Sequence, residues 1–181
     1  MRPQKVSGEA VADALVERFR RDGYAGASLR DLAADTGLKP ASLYHRFPAG
    51  KPDLALAALA RAGESFGQLV LAPLAGGASP AERLRASADG VARFYSDGAL
   101  ACVLAVLALS DAPMPVRERI AAMLGGWRAV LAATLAQAGA DAAEAEAGDR
   151  IAAVQGALVL RRAGADLGDF ARAVARMGAA P

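Results

Sequence analysis

Ser28-Leu29-Arg30-Asp31-Leu32-Ala33-Ala34-Asp35-Thr36-Gly37-Leu38-Lys39-Pro40-Ala41-Ser42-Leu43-Tyr44-His45-Arg46-Phe47 is the stretch on which the fold turns. Ser28 and Asp31 stand three apart, the spacing at which a hydroxyl caps a helix start and an acid reaches back. The helix they open carries Leu29, Leu32 and Ala33 and stops at Gly37. Pro40 suits the first turn of the next helix, where its missing N–H leaves no bond unmade. That helix is short, about Pro40 to Phe47, because Pro48, Gly50 and Pro52 follow at once. Two short helices joined by a glycine turn have the logic of a helix-turn-helix, with Leu29, Leu32, Leu38, Leu43 and Phe47 holding them together. Outside the second helix remain Lys39, Ala41, Ser42, His45 and Arg46, with Tyr44 nearby. There is no acid among them. Small residues let a helix approach base edges in a major groove, and the hydroxyl and basic groups bond phosphates and bases.

Working outward, a first helix is expected from after Ser7 to Asp22, with Val11, Leu15, Val16 and Phe19 on one face and Gly23 as its stop. Further helices are expected at about 52–71, 80–97, 99–110, 115–138, 141–163 and 169–178. Their punctuation is Pro73 with Gly76-Gly77, Ser79-Pro80, Gly98, the Pro113-Met114-Pro115 corner, Gly139 and Gly164. Alternation of strand type is nearly absent, and the 48 alanines favour helix. The expected fold is all-α. A head, residues 1–51, joins a larger body, 52–181, through one continuous helix.

The 181 residues are 54% hydrophobic with a formal net charge of +2, a composition that argues against disorder. The charge is unevenly spread. Residues 1–51 hold nine Lys and Arg against six acids, whereas 52–181 hold twelve Arg against thirteen. A basic head on a near-neutral body suits nucleic-acid binding. One Cys and one His exclude a disulfide framework, leave too few ligands for an ordinary zinc site, and suit a reducing cytoplasm. The longest uncharged run, Ser65 to Ala81, is interrupted by Pro73, Gly76, Gly77 and Pro80, so no membrane-spanning helix is expected. No secretory leader is expected either, because Met1 to Glu9 has no apolar core. Gly50-Lys51 lacks the rest of a phosphate-binding loop. The acids Asp141, Glu144, Glu146 and Asp149 read as a solvated helix start, and Cys102 as a small buried hydrophobe.

From about Val11 to Leu59 the sequence resembles the TetR family of bacterial transcriptional regulators. The resemblance is carried by Phe19, Gly23, Tyr24, Ser28-Leu29-Arg30-Asp31-Leu32-Ala33, Gly37-Leu38 and Ser42-Leu43-Tyr44-His45-Arg46-Phe47, then Lys51 and Leu54. The stretch Phe47-Pro48-Ala49-Gly50-Lys51 is similar to a subgroup that includes antibiotic- and flavonoid-responsive repressors of multidrug efflux genes. The resemblance implies that Ser28 touches phosphate, and that Lys39, Ala41 and Ser42 face the groove. It further implies that Tyr44 and His45 fix the backbone register and that Lys51 binds phosphate at the start of the connecting helix. Arg46 departs from the histidine common there but keeps a positive charge for phosphate. Lys39 stands where a small capping residue is frequent. Arg2 and Lys5 read either as an arm on DNA or as a solvated tail.

The apolar excess has three destinations: core, ligand cavity and subunit interface. The resemblance implies a homodimer through the last two long helices, here offering Ile151, Val154, Leu158, Phe170, Val174 and Met177, any of which can instead be core. A cavity for a small hydrophobic or aromatic effector is expected among Phe66, Phe94, Tyr95, Leu104, Leu107, Met114, Met123 and Trp127. The partners expected are thus double-stranded DNA with a palindromic operator, the effector and a second copy, with no cofactor and no metal. The alternatives are a DNA-independent helical scaffold, and an enzyme, disfavoured because the body contains no His and no recognisable nucleophile–base pair.

Overall fold

The computed structural model describes residues 7–165 and 168–181, all of the regular structure among them helical. In chain order the helices are α1 (Gly8–Gly26), α2 (Leu29–Thr36), α3 (Pro40–Arg46), α4 (Lys51–Phe66), α5 (Ala72–Leu74), α6 (Pro80–Phe94), α7 (Val103–Ala108), α8 (Met114–Gln137), α9 (Ala143–Arg162) and α10 (Asp169–Gly178). Arg2 and Lys5 lie outside the described residues. The helices form two compact units.

The first unit takes in the described residues up to Gly63 together with Val103–Ala121. Val11, Leu15 and Phe19 of α1, Leu32 of α2, Leu43 of α3 and Leu54 and Leu59 of α4 are buried in it. α1 runs beyond its expected end at Asp22, but across a break: Gly23 has φ 69°, ψ −175°. The break lets α7 come close, and a β-carbon at Gly23 would touch Val106 at 3.5 Å. The Tyr24 N–H released there donates to Ser110 Oγ at 3.1 Å, and that hydroxyl donates to the Leu107 carbonyl at 3.0 Å.

The second unit comprises Glu64–Cys102 and the described residues of 122–181. After α4 the helix switches to i→i+5 bonding over Gly67–Leu71, Ala72 N–H reaching Gly67 O, and then continues through α5 past Pro73. Proline has no N–H for the carbonyl four residues back, which is that of Leu69. This carbonyl instead sits against Gly90 of α6, where no β-carbon stands in the way. α6 opens at a capping box of Ser79 and Glu82, with Pro80 in its first turn, and the Ser79 bonds hold the Glu82 carboxyl below its ordinary range.

α6 ends earlier than expected, and α7 is shorter than the 99–110 helix expected from composition. Ser96 (φ 47°), Asp97 (φ 53°) and Gly98 (φ 86°) follow one another in the left-handed region. This turn ends at Phe170, which a β-carbon at Gly98 would meet at 2.9 Å, and the Asp97 carbonyl accepts from Arg161.

Arg150, fully buried in α9, completes the end of α10. Its Nη1 donates to the carbonyls of Met177 (3.0 Å) and Ala179 (2.6 Å), and its other nitrogens pair with Glu146. Glu144 pairs with Arg128. Two members of the acidic run are therefore engaged with arginines. Arg150→Met leaves two C-terminal carbonyls and a carboxylate without their donor, so we expect a loss of about 2 kcal/mol, read as a lower urea midpoint at unchanged slope.

Two continuous helices, Lys51–Leu74 and Met114–Gln137, are each long and apolar enough to cross a membrane by length and composition alone, contrary to the expectation from uncharged runs. The chain stays helical through Pro73, and the charges are spread thinly along both. Leu54, Ala55, Ala58 and Leu59 of the one and Trp127, Leu131 and Leu135 of the other are buried, as in core helices of a packed domain.

Candidate nucleic-acid interface

The local chemistry of residues 28–47 produces two helices by the signals their sequence carries. Ser28 caps α2, accepting from Asp31 N–H at 3.1 Å and donating to the Asp31 carboxylate at 2.6 Å. Gly37 ends α2 in the left-handed conformation (φ 66°, ψ 14°), and the Thr36 hydroxyl, buried, donates to the Leu32 carbonyl. α3 begins at Lys39, which offers no side-chain cap, and Pro40 supplies the first turn.

Only Leu43 of α3 is buried. Lys39, Pro40, Ala41, Ser42, Tyr44, His45 and Arg46 are exposed, Tyr44 to 51%. From Thr36 to Pro52 the chain contains no acid. His45 and Arg46 also lie in the last turn, where positive charge is favoured by the helix dipole. Lys39, His45 and Arg46 make no side-chain hydrogen bond or ion pair among the described residues, leaving their donors available. The Arg46 guanidinium lies over the start of α1, 3.1 Å from where a β-carbon of Gly8 would be. Arg30, exposed on α2 and equally unpaired, is a further cation of the head. Only its charge marked it in the sequence, where it falls between capping and core residues.

Two of the expected phosphate contacts are differently engaged. Lys51 donates to the Ala25 carbonyl at 3.3 Å and stands 4.8 Å above the Tyr24 ring. Burial there lowers its pKa and raises that of Tyr24. The lysine thus clamps the end of α1 to the start of α4, and Asp53 takes up the Ala49 N–H beside it at 2.8 Å. Ser28 keeps its hydroxyl on Asp31, so a phosphate there meets a neighbouring carboxylate.

α1 and α2 are tied by Arg18, whose fork grips Asp35 (Nε–Oδ2 2.5 Å, Nη2–Oδ1 2.8 Å) and whose Nη1 reaches Asp22 at 2.7 Å. The guanidinium holds both carboxyls below their ordinary range. A carboxyl with a depressed folded pKa stabilises the fold above its unfolded value, about 3.9, and that contribution vanishes as pH falls through the folded value. The stability gap between the wild type and Arg18→Met is therefore expected to narrow as pH drops below about 4. Urea unfolding at pH 7 and pH 3 measures it, and a constant gap would deny the pairs any role.

In the second unit four of the expected cavity residues meet. Phe170, Tyr95, Phe94, Phe66 and Trp127 form a continuous edge-to-face chain with centroid separations of 6.2, 4.9, 5.1 and 4.9 Å. Met123 lies one turn before Trp127 and is half-buried. Leu104, Leu107 and Met114 belong to the first unit. Leu107 is core there, Leu104 half-buried, and Met114 is 64% exposed at the start of α8, on the surface rather than lining a cavity. Cys102 is buried and accepts from the Tyr95 hydroxyl at 3.4 Å.

Of the residues offered for an interface, Val154, Leu158, Phe170 and Met177 are buried within the single chain. They are the core between α9, α10 and α6, because the most apolar face of each helix turns inward. Ile151 and Val174 are half-buried. The apolar surface of α9 is carried by Val159 (50% exposed) and Leu160 (46%), which the periodicity did not mark.

Residues 11–58 match the family described as bacterial regulatory proteins, tetR family. This segment is a TetR-family N-terminal domain. Eighty residues are 31% identical to the HTH-type transcriptional regulator LmrA of Bacillus subtilis; the match covers 44% of this chain and 43%, less than half, of that regulator. The whole fold is shared with solved TetR-family structures. A TetR transcriptional regulator from Chloroflexus aurantiacus is 26% identical with a TM-score of 0.78, covering 94% of this chain and 91% of that one. One from Agrobacterium tumefaciens is 27% identical with a TM-score of 0.77, covering 95% and 97%. A Legionella pneumophila structure has a TM-score of 0.83 at 20% identity over 98% and 97%, a likeness of fold. The TetR family consists of transcriptional regulators that are not enzymes.

Proposed function

We propose that this TetR-family chain is a cytoplasmic, homodimeric DNA-binding regulator, a repressor that a small hydrophobic effector releases from a palindromic operator. The observation that carries the reading is α3: one buried leucine anchors it, and every other side chain is exposed, acid-free and small, hydroxylic or basic. Such a surface fits a major groove, where Ala41 and Ser42 permit close approach and Lys39, Tyr44, His45 and Arg46 reach phosphates.

Support for a dimer comes from α9 and α10. Val159 and Leu160 are exposed on α9, and Leu160 lines a groove of about 320 Å³ with Ala153, Gly156, Asp169, Arg172 and Arg176. Small residues let helices approach closely, and one self-complementary patch suffices for a two-fold pair. Selection of bound duplexes from a random library tests the reading. It should return inverted half-sites with centres about 34–36 Å apart or a multiple of this. Binding without any enriched sequence would refute it.

A further inference from the structure

Gly8 opens α1 directly after its cap Ser7, whose hydroxyl accepts from Ala10 N–H at 3.1 Å. Nothing in the backbone asks for glycine there, because its φ is not positive and the residue lies in regular helix. Glycine is moreover a poor helix former, since it loses more backbone freedom on folding than any other residue. What it supplies is room. A β-carbon at Gly8 would stand 3.1 Å from Nη2 of Arg46, tighter than ordinary van der Waals contact. Beyond the first turn of α1 itself, no other described group comes within 4 Å of that point. Arg46 closes α3, and apart from the dipole of that helix the fold gives its charge nothing. It makes no side-chain hydrogen bond or ion pair among the described residues, and Glu9, the acid of the same turn of α1, makes none with it. The start of α1 is itself the positive pole of a helix, where a guanidinium gains no stability. An exposed cation held in a place that does nothing for the fold has its partner outside the fold.

We propose that Gly8 is a positioning residue for DNA binding. By lacking a β-carbon it lets the Arg46 side chain lie back across the start of α1, and from there the guanidinium contacts a backbone phosphate. A larger residue at position 8 turns the arginine away and loses that contact while α1 and α3 stay intact. This rests on the DNA-binding reading above and adds to it a residue outside α2 and α3 that acts through Arg46. A phosphate contact fixes position without reading sequence, so its loss weakens selected and unrelated duplexes by the same factor.

Gly8→Leu, Arg46→Ala and the double variant, made in the full chain, test it by anisotropy of a labelled, selected duplex over a range of salt. Each single variant should bind at least about fivefold more weakly at low salt. Each should also lose about 0.9 from the slope of log affinity against log salt for every head bound. The double variant should bind within about twofold of Arg46→Ala, because no arginine remains to displace. Leucine is a better helix former than glycine, so Gly8→Leu should melt no lower than the wild type, which separates positioning from folding. Wild-type affinity and slope in Gly8→Leu would overturn the proposal. An equal loss when the leucine is added to Arg46→Ala would do the same, since the leucine then obstructs the duplex by itself. An unchanged slope in Arg46→Ala overturns it whatever the state of the other variants. A wild type without sequence preference sinks the DNA-binding reading and this inference together, whereas a sequence-specific wild type with an additive cycle sinks only this inference.

Discussion

Replacing Ser42 by aspartate lowers affinity for the selected duplex at least about a hundredfold, a loss of roughly 3 kcal/mol. Ser42 is exposed on the acid-free face of α3, and a carboxylate there is pressed against the phosphates and acceptor-rich base edges of a groove. The position separates recognition from folding. It is the third residue of α3, after Pro40 and Ala41, where an acid is favoured by the helix dipole. The variant should therefore unfold at the wild-type temperature or slightly above while failing to shift the duplex. Ser42→Lys, with a cation at the same point, should retain binding and steepen its dependence on salt. Unchanged affinity in Ser42→Asp would remove α3 from the reading surface.

Gly90→Ala is the most damaging small substitution expected in the second unit. A β-carbon at Gly90 would overlap the Leu69 carbonyl oxygen and stand 2.7 Å from its carbon. No rotamer relieves such a clash, because both partners are fixed to backbone. α6 must retreat from the irregular turn, carrying with it the contacts of Phe94 and Leu84. A loss of about 3 kcal/mol or more follows, a fall in Tm of about 6–12 °C for a chain of this size. Gly125→Ala is the control. The space around it is open within 4 Å and it lies inside α8, so the same methyl group should stabilise by about 0.5–1 kcal/mol. Loss of stability in both, or in neither, would contradict the packing.

The contrast between these glycines shows what a sequence conveys and what it withholds. Ser28, Gly37 and Pro40 act on their nearest neighbours, so cap, turn and helix start were all legible, and α10 spans the expected residues. Pro73 was legible as a disturbance but not as its outcome. Whether a freed carbonyl ends a helix depends on what faces it, and Gly90 is seventeen residues further on. Ser96 and Asp97 look like ordinary residues near a helix end, and only the packing of Gly98 on Phe170 accounts for their left-handed backbone.

The head's surface was legible for a similar reason: an exposed, acid-free helix is a local property. The resting partners of Lys51 were not legible, because a lysine's neighbours depend on the ring beneath it, and Tyr24 comes from another helix. The apolar faces of α9 and α10 offered no means of telling a subunit seam from the interior. Burial decides that, and it assigns Val154, Leu158, Phe170 and Met177 to the interior.

The bond from Tyr24 N–H to Ser110 Oγ spans 86 positions, and this has a consequence during synthesis. A ribosome adding about 5–20 residues per second needs on the order of 4–17 s to travel that distance. For the later part of that interval the nascent chain already carries α2 and α3, while the kinked end of α1 still lacks α7 beneath it. The head is thus finished by residues made long after its own. Polypeptides that stop before Ser110, whether by stalling or by premature termination, carry α3 on an incomplete support.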